Sequence, residues 1–145
     1  MTTVNVYLTF NGNAEEAFNF YKSVFGGEFA YIGRFKDMPA DENCPPPSEE
    51  ESNRIMHVSL PISKETVLMA SDSTSFSGDV TFGNNFSVSI NTDSTTEADR
   101  LFAGLSASGN VIMPMEKTFW GAYFGMFTDK FGINWMINFD ETPQH

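Results

Sequence analysis

His57 is the side chain whose type best suits acid–base chemistry near neutral pH, because an imidazole titrates in that range. On a strand that buries Val58, its ring would project from the opposite face and exchange a proton with a ligand, assisted by Asp72 or another carboxylate. Two plainer interpretations stay open: His57 is a structural histidine bonded to a neighbour, and Asp72 is a turn residue bonded to its own backbone. The second histidine, His145, ends the sequence, where we expect a disordered tail. His57 is therefore the one candidate catalytic residue.

Alternation along the strands predicts a neutral binding surface. If Phe86 and Val88 face a helix, the residues between and before them face the other way, and the same holds around Trp135 and Ile137. Amides, hydroxyls and thioethers at such positions bind a polar or mixed small molecule without supplying a strong nucleophile. The candidates chosen by this argument are Asn85, Ser87, Met136 and Asn138.

Aromatic residues near the start of a late strand form the next group of candidates. Trp120, Tyr123 and Phe124 could make a wall that grips an apolar or cationic ligand. Packing in the core or in a dimer is the alternative. We add Trp120 and Tyr123 to the predicted ligand-binding residues.

The elements that position these side chains follow from periodicity. Residues 4–10 alternate apolar and polar side chains, which predicts a strand. Asn13 then begins a helix, with Glu16 at the capping-box position, and Gly26 with Gly27 ends it. Residues 28–35 are expected to form the second strand.

The same order of elements recurs later, so the sequence predicts a duplication. Residues 84–90 form a strand, Ser94 and Glu97 a second capping box, and Gly109 closes the second helix. Glu16 matches Glu97 at an offset of 81 (97 − 16), with the preceding strands slipped by one residue. Residues 55–60 and 66–71 match 122–127 and 133–138 at an offset of 67 (122 − 55). A tight turn from Asp129 to Gly132 joins the last two strands.

The change of offset means that the first half carries 14 more residues (81 − 67). We place them in the acidic, proline-rich segment 37–52, which is expected to be a surface loop. A tolerated insertion is the plain interpretation of this loop. A mobile lid, or an arm that reaches a partner subunit, is the alternative.

Composition excludes several partners. The chain has 8 Lys and Arg residues against 19 Asp and Glu residues, a net charge of −11, which disfavours nucleic acid and anionic membranes. No apolar run is long enough to cross a bilayer, and the first residues lack the features of a signal peptide. One cysteine, Cys44, makes no internal disulfide, and its acidic neighbours disfavour a thiolate. We therefore expect a cytoplasmic protein.

Several segments together resemble a known superfamily. Residues 11–26 read Asn-Gly-Asn-Ala-Glu-Glu-Ala-Phe-Asn-Phe-Tyr-Lys-Ser-Val-Phe-Gly, and further matching segments are 7–13, 55–58, 67–72, 118–125 and 128–138. They are similar to the vicinal-oxygen-chelate superfamily of glyoxalases, extradiol dioxygenases and bleomycin-resistance proteins, and most to its PhnB-like branch. That branch often carries a label relating it to demethylubiquinone methyltransferase. The sequence lacks the glycine-rich strand-to-helix loop that a nucleotide-type methyl donor would need.

The resemblance implies an α+β fold in which two βαβββ repeats, residues 4–72 and 84–139, form one glyoxalase-like domain over residues 1–145. Its paired curved mixed sheets, each with an outer helix, would surround a central cavity. It also implies a homodimer.

Metal-dependent members of the superfamily place His, Glu or Gln ligands at positions that fall here near Val6 or Tyr7, Met69, Asn85 and Met136. None of these is a His or a carboxylate, so we expect no metal and no cofactor. Tyr7 and Met69 join the predicted ligand-binding residues instead. The resulting hypothesis is a metal-free PhnB-like protein that binds a small molecule between its repeats, with no assigned reaction. The alternatives are a metal-dependent lyase or dioxygenase and a drug-sequestering protein.

Overall fold

The computed structural model describes residues 2–37, 48–75 and 78–141, which form an α+β fold. The chain divides into two compact units, residues 1–81 and 82–145. The first contains β1 (Val6–Phe10), α1 (Ala14–Phe25), β2 (Tyr31–Arg34), α2 (Glu49–Ser52), β3 (Ile55–Pro61) and β4 (Val67–Asp72). The second contains β5 (Val88–Asn91), α3 (Thr95–Ser106), β6 (Asn110–Lys117), β7 (Ala122–Thr128) and β8 (Asn134–Asp140). The predicted class and the two mixed sheets with helices are confirmed, whereas the single domain and the central cavity stay predictions.

The first sheet has the strand order β1–β4–β3–β2, with β1 parallel to β4 and the other neighbours antiparallel. Helix α1 packs against β3 and β4. Its apolar stripe buries Ala17, Phe18 and Tyr21 completely, together with Val58 and Leu68 of the sheet. Removal of these side chains from water is the main force that holds the helix on the sheet.

The second sheet repeats this arrangement, in the order β5–β8–β7–β6 with β5 parallel to β8. Val6 pairs with Leu68 in the first sheet, and Val88 pairs with Trp135 in the second. The offsets are therefore 82 for the first strand (88 − 6) and 67 for the last (135 − 68). The antiparallel pairs of β3 with β4 and of β7 with β8 reproduce the offset of 67 throughout. The duplication and its one-residue slip are confirmed.

The start of β5 differs from the prediction. The strand begins at Val88, so residues 84–87 precede it. Asn134 donates from Nδ2 to the carbonyl oxygen of Gly83 at 3.0 Å, and this side chain holds the segment where no ladder does. Phe86, predicted to face a helix, is 63% exposed. The Gly-Asn-Asn sequence at 83–85 favours a turn, and that local preference prevails over the alternation.

A buried carboxylate caps α1 in place of the predicted capping box. Asp72 Oδ1 accepts the backbone N–H groups of Gly12 at 3.0 Å and Ala14 at 2.9 Å. Its Oδ2 accepts the backbone N–H of Ile55 at 2.9 Å. Asn13 is the residue before the helix, but its side chain makes no capping bond. Asp72 therefore ties the start of α1 to two strands.

Asp129 shapes the turn between β7 and β8, as predicted. Its Oδ1 accepts the backbone N–H groups of Phe131 at 2.8 Å and Ile133 at 3.0 Å. Its Oδ2 accepts Nε1–H of Trp135 at 2.8 Å. Gly132 has a φ of 91°, a conformation that glycine adopts without strain.

Apart from the start of α1, the ends of α1 and α3 follow the sequence except at Gly109. Gly26 after α1 has a φ of 83°, and Ser94 Oγ accepts the N–H of Glu97 at 3.1 Å at the start of α3. After α3 the positive φ, 61°, falls on Ser108. Gly109 is needed for another reason, because a Cβ there would overlap the carbonyl oxygen of Thr128. None of the helices formed by the described residues is long and apolar enough to cross a membrane.

Most of the acidic, proline-rich segment lies outside the described residues, as do Cys44 and His145. The segment's last residues, predicted as loop, form the single helical turn α2. Ser48 Oγ accepts the N–H of Glu51 at 3.2 Å and starts this turn.

Candidate functional site

Two tyrosines contact His57 on the face of the first sheet that lies away from α1. The Tyr7 hydroxyl oxygen is 3.2 Å from Nδ1 of His57, within hydrogen-bonding distance. The Tyr7 ring stacks on the imidazole with ring centroids 5.6 Å apart, and the Tyr31 ring is tilted against it at 5.8 Å. We call these three residues the Tyr–His–Tyr cluster.

The register of the sheet brings the two tyrosines onto one row. Tyr7 on β1 pairs with Met69 on β4, and Met69 pairs with Ser59 on β3. Ser59 in turn pairs with Tyr31 on β2, so the row crosses all four strands on one face. Tyr7 and Met69, two of the predicted ligand-binding residues, are thus adjacent.

Gly33 makes room for the contact between Tyr31 and His57. Val58 is fully buried, so His57 beside it points away from the core, as predicted. His57 pairs with Gly33 across β3 and β2. A Cβ at Gly33 would stand 2.5 Å from the Tyr31 hydroxyl oxygen, because the tyrosine side chain lies over the glycine.

The rest of this face is uncharged. Tyr7 and Tyr31 are each 49% exposed, and His57 is half-buried. Nδ1 of His57 donates or accepts according to its tautomer, so the Tyr7 hydroxyl takes the complementary part. The other described side chains on this face are uncharged: hydroxyl and thioether groups at Thr9, Ser59, Met69 and Ser71, and the apolar pair Pro61 and Val67. The cluster is therefore an uncharged hydrogen-bonding surface on which Tyr7 and His57 can exchange a proton.

Asp72 is not part of the cluster. Its oxygens accept backbone N–H groups that lie 17 to 60 residues away in the chain, as described above. Both predicted roles are wrong, because it neither assists His57 nor closes a turn on its own backbone. A local pattern could not reveal partners at such separations.

Met136 and Asn138 lie together on the face of the second sheet that lies away from α3. Trp135, which precedes Met136, and Ile137, which lies between Met136 and Asn138, are fully buried. This burial confirms the predicted alternation. Asn138 donates from Nδ2 to Oδ1 of Asn91 at 3.0 Å, so its amide is held by a neighbouring strand.

Asn85 and Ser87 do not join Met136, because both precede β5. Asn85 is exposed and Ser87 is half-buried. The residue that pairs with Met136 on β5 is Ser89, which shares its face. In the sequence, the one-residue slip between the repeats was the feature that could have identified Ser89 as the partner of Met136.

The predicted aromatic wall does not form as one surface. Tyr123 donates its hydroxyl proton to Oδ1 of Asp99 on α3 at 2.7 Å, so its side chain lies on the helix side of the sheet. This hydrogen bond, together with burial, raises the pKa of Tyr123 above its ordinary value. Phe124, the next residue in the strand, instead contacts Trp120 edge-to-face with centroids 6.5 Å apart. Tyr123 is therefore separate from the other candidates.

Sequence reasoning selected His57 and Tyr7 but missed Tyr31 and Gly33. A glycine two residues after an aromatic residue in a strand is a weak signal that the ring lies over the backbone. The pairing of Gly33 with His57 depends on register, which one sequence does not supply.

The donors on these faces do not fit a divalent metal ion. The positions that the resemblance assigns to metal ligands hold the phenol of Tyr7 and the thioethers of Met69 and Met136, and Asn85 lies outside the strands. Zinc, iron and nickel prefer imidazole, thiolate and carboxylate ligands. Across residues 2–37, 48–75 and 78–141, no three His, Cys, Asp or Glu side chains form a group that could hold a metal.

Comparison with known proteins identifies the family. A family model described as 3-demethylubiquinone-9 3-methyltransferase matches residues 2–138. The chain belongs to this family. The Escherichia coli protein YjdN is 33% identical over 141 residues, with 91% of each chain covered. The crystal structure of PA1353 from Pseudomonas aeruginosa is 39% identical, covers 97% of this chain and 98% of its own, and superposes with a TM-score of 0.82.

Further structures show which fold this PhnB-like protein shares. The PhnB protein from Bacillus cereus is 28% identical, with 95% of this chain and 99% of that chain covered and a TM-score of 0.73. A glyoxalase/bleomycin resistance protein/dioxygenase domain from Frankia sp. has a TM-score of 0.64 at 16% identity, with 100% and 96% covered, which shows a shared fold. The predicted PhnB-like branch is confirmed, and the fold is the one expected for the predicted superfamily.

Proposed function

We propose that this PhnB-like protein binds an uncharged small molecule at the Tyr–His–Tyr cluster and exchanges a proton with it. The observation that carries the proposal is the 3.2 Å contact between the Tyr7 hydroxyl and Nδ1 of His57. The half-exposed rings of Tyr7 and Tyr31 supply flat apolar surface beside that polar contact. Because the remaining side chains on this face are neutral, a charged ligand would find no counter-charge there.

The pair of His57 and Tyr7 can serve a ligand in two arrangements. When Nδ1 accepts the Tyr7 proton, Nε2 carries its own proton and donates to a carbonyl of the ligand. When Nδ1 donates to the Tyr7 oxygen, Nε2 accepts from a hydroxyl of the ligand. The Tyr7 hydroxyl then keeps its proton and can donate it in a hydrogen bond to another group. When Nε2 passes its proton to the ligand and Nδ1 takes up the Tyr7 proton, the imidazole stays neutral, the ligand gains one positive charge and Tyr7 becomes a phenolate until water returns its proton.

Methyl transfer, which the family description names, gains no support from the helix starts. A nucleotide-type cofactor uses the free N–H groups at a helix N-terminus. At α1 the N–H groups of Gly12 and Ala14 are taken by Asp72, and at α3 the N–H of Glu97 is taken by Ser94. We therefore propose binding or proton transfer instead.

We further propose that the protein acts without a divalent metal, as a cytoplasmic homodimer. The apolar side chains Val111, Ile112 and Met113 on the edge strand β6 are 46–53% exposed, which supports a protein partner for that strand. One cysteine in 145 residues supports a reducing compartment. Near one equivalent of zinc, iron, nickel or manganese in the purified protein would favour the lyase or dioxygenase alternative, and binding without turnover would favour a sequestering protein.

The test starts with a panel of uncharged phenols, quinols and hydroxy ketones, examined by ligand-observed NMR. For the tightest binder, Tyr7→Phe and His57→Gln should each raise Kd about fivefold, since one hydrogen bond contributes about 1 kcal/mol. Tyr123→Phe is the matched control, because it removes the same hydroxyl from a tyrosine bonded to Asp99. Equal Kd values for Tyr7→Phe and Tyr123→Phe, or a panel without any binder, would contradict the proposal.

A further inference from the structure

Three methionines form a row across the second sheet on the face away from α3. Met113 on β6 pairs with Met126 on β7, where the register is irregular on both sides of Met113, so Met113 and Met115 need not share a face. Met126 pairs with Met136 on β8. Residues directly opposite each other have Cβ atoms about 4.5–5.5 Å apart. Each sulfur sits on a flexible unbranched stem, so the three sulfur atoms can converge above the middle residue. We call these three residues the methionine row.

The methionine row is open at its outer end, and harder oxygen donors lie beside it, since Ser89 pairs with Met136 and Glu116 pairs with Phe124 in the next row. Met113 is 46% exposed at the edge strand, and the other two methionines are half-buried. Thr128 donates to Oδ1 of Asn134 at 2.8 Å, so the nearest polar pair along the strands is already satisfied. The other neighbours on this face, at the end of the row and two residues along, are Ser89, Phe124 and Asn138.

Met115 shows what a methionine used only for packing looks like on the same strand. A Cβ at Gly125 would stand 2.7 Å from Sδ of Met115 and 2.8 Å from Cε2 of Phe102, so this thioether fills the space over a glycine on the helix side. The methionine row has the opposite orientation and faces no helix of its own unit.

We propose that the methionine row binds a soft monovalent cation, Cu(I) or Ag(I), through its thioether sulfur atoms. Thioethers are soft donors that select Cu(I) and bind magnesium, calcium or zinc poorly. The net charge of −11 draws cations toward the surface and offsets part of the cost of their dehydration. The site shares no residue with the Tyr–His–Tyr cluster, and it shares Met113 with the edge-strand surface proposed above for the dimer.

The test titrates Ag(I) into the full chain labelled at the methionine methyl groups and followed by NMR. A Cys44→Ser background is used, since a thiolate would bind the ion more tightly than thioethers do. The methyl signals of Met113, Met126 and Met136 should shift together and saturate near one equivalent, and Mg(II) should leave them unmoved. Met126→Leu should weaken Ag(I) binding at least about tenfold, whereas Met115→Leu should leave it unchanged; both substitutions conserve volume.

Two results would overturn the proposal. One is a titration in which histidine ring signals move while the methyl signals of the methionine row stay in place. The other is an equal loss of affinity in Met126→Leu and Met115→Leu. If Met126→Leu unfolds at a lower temperature than the parent, Met136→Leu replaces it, with the same expected loss.

Discussion

At the level of single residues, the Tyr–His–Tyr cluster depends on the absence of a side chain at Gly33. Gly33 pairs with His57, and the Tyr31 side chain crosses the space above it. The backbone of Gly33 has no positive φ, so alanine could adopt its conformation without strain. The effect of a side chain there would therefore be steric and confined to Tyr31.

We predict that Gly33→Ala moves Tyr31 away from His57. The new Cβ would stand 2.5 Å from the Tyr31 hydroxyl oxygen, closer than two such atoms approach, so the ring must turn. The measurement is the NMR shift of the His57 ring protons, which sense the ring current of a tyrosine 5.8 Å away. The Kd of the panel's tightest binder should rise in parallel.

Gly83→Ala is the control for this prediction, because a Cβ there meets only Oδ1 of Asn85 at 3.6 Å, an ordinary contact. It should leave the His57 signals unchanged. Unchanged signals in Gly33→Ala would mean that Tyr31 does not determine the surroundings of the imidazole.

At the level of elements, a two-pronged ion pair joins α1 to β2. Arg34 donates from Nη1 and Nη2 to the two carboxylate oxygens of Glu15, at 3.0 Å and 2.6 Å. This hydrogen bond from Arg34 lowers the pKa of Glu15 below its ordinary value. The side chains are 28% and 45% exposed, so solvent screens much of the attraction.

We predict that Arg34→Gln lowers the free energy of unfolding by about 1 kcal/mol at neutral pH, in the range for a partly exposed, bidentate pair. Because the pKa of Glu15 is lowered in the folded state, the stabilisation is present above the ordinary pKa of a glutamate. It is lost as the pH falls below that value and through the folded-state pKa. Urea unfolding at about pH 7 and about pH 3 should therefore show a difference between variant and parent only at the higher pH.

Arg100→Gln is the control for the effect of joining two elements. Arg100 donates from Nε to Oε2 of Glu97 at 3.0 Å, and both residues of this pair lie in α3. Its loss should cost about 0.3–0.5 kcal/mol, as for other pairs on one helix. Equal losses for the two arginine variants would contradict the role assigned to Arg34.

Periodicity was enough to predict the elements and their duplication, because each depends on neighbours in the chain. The repeated spacing of apolar residues even indicated the slip that pairs Val88 with Trp135. What the sequence could not predict depends on distant partners. Asp72 caps a helix that begins 58 residues earlier, and no local pattern distinguishes that role from a turn.

The candidate site was predictable to the same extent. The face of His57 followed from alternation, whereas its contact with Tyr31 required the register of β2 against β3. Strict alternation also separates Tyr123 from Phe124, so the single aromatic wall was inconsistent with the strand that carries it.

At the level of the whole molecule, the two repeats keep one scaffold and differ in the chemistry of one face. The first sheet carries an imidazole and two phenols, and the second carries a row of thioethers. The central antiparallel pairs, β3 with β4 and β7 with β8, keep one offset of 67, so the difference in chemistry lies in side chains that do not hold the fold. Such positions can change without loss of the buried core, which explains how one duplicated unit came to present two kinds of surface.

We predict that salt stabilises the protein as a whole. The excess of 19 acidic over 8 basic residues leaves carboxylates that repel one another in the compact state. Salt shortens the range of this repulsion to about 10 Å at about 0.1 M. It also weakens ion pairs such as Lys22 with Glu28, but exposed pairs contribute less than about 1 kcal/mol each. The melting temperature should therefore rise by at least about 2 °C between about 20 mM and about 300 mM NaCl at neutral pH.

KCl should give the same rise as NaCl, because screening does not depend on the identity of the cation. The rise should shrink near about pH 4, where roughly half of the carboxylates are protonated and the repulsion is weaker. A melting temperature that falls with salt would mean that the attractive ion pairs outweigh the repulsion of the net charge. A rise specific to one cation would instead indicate that this ion binds at a site. The comparison of the two salts therefore distinguishes general screening from specific binding.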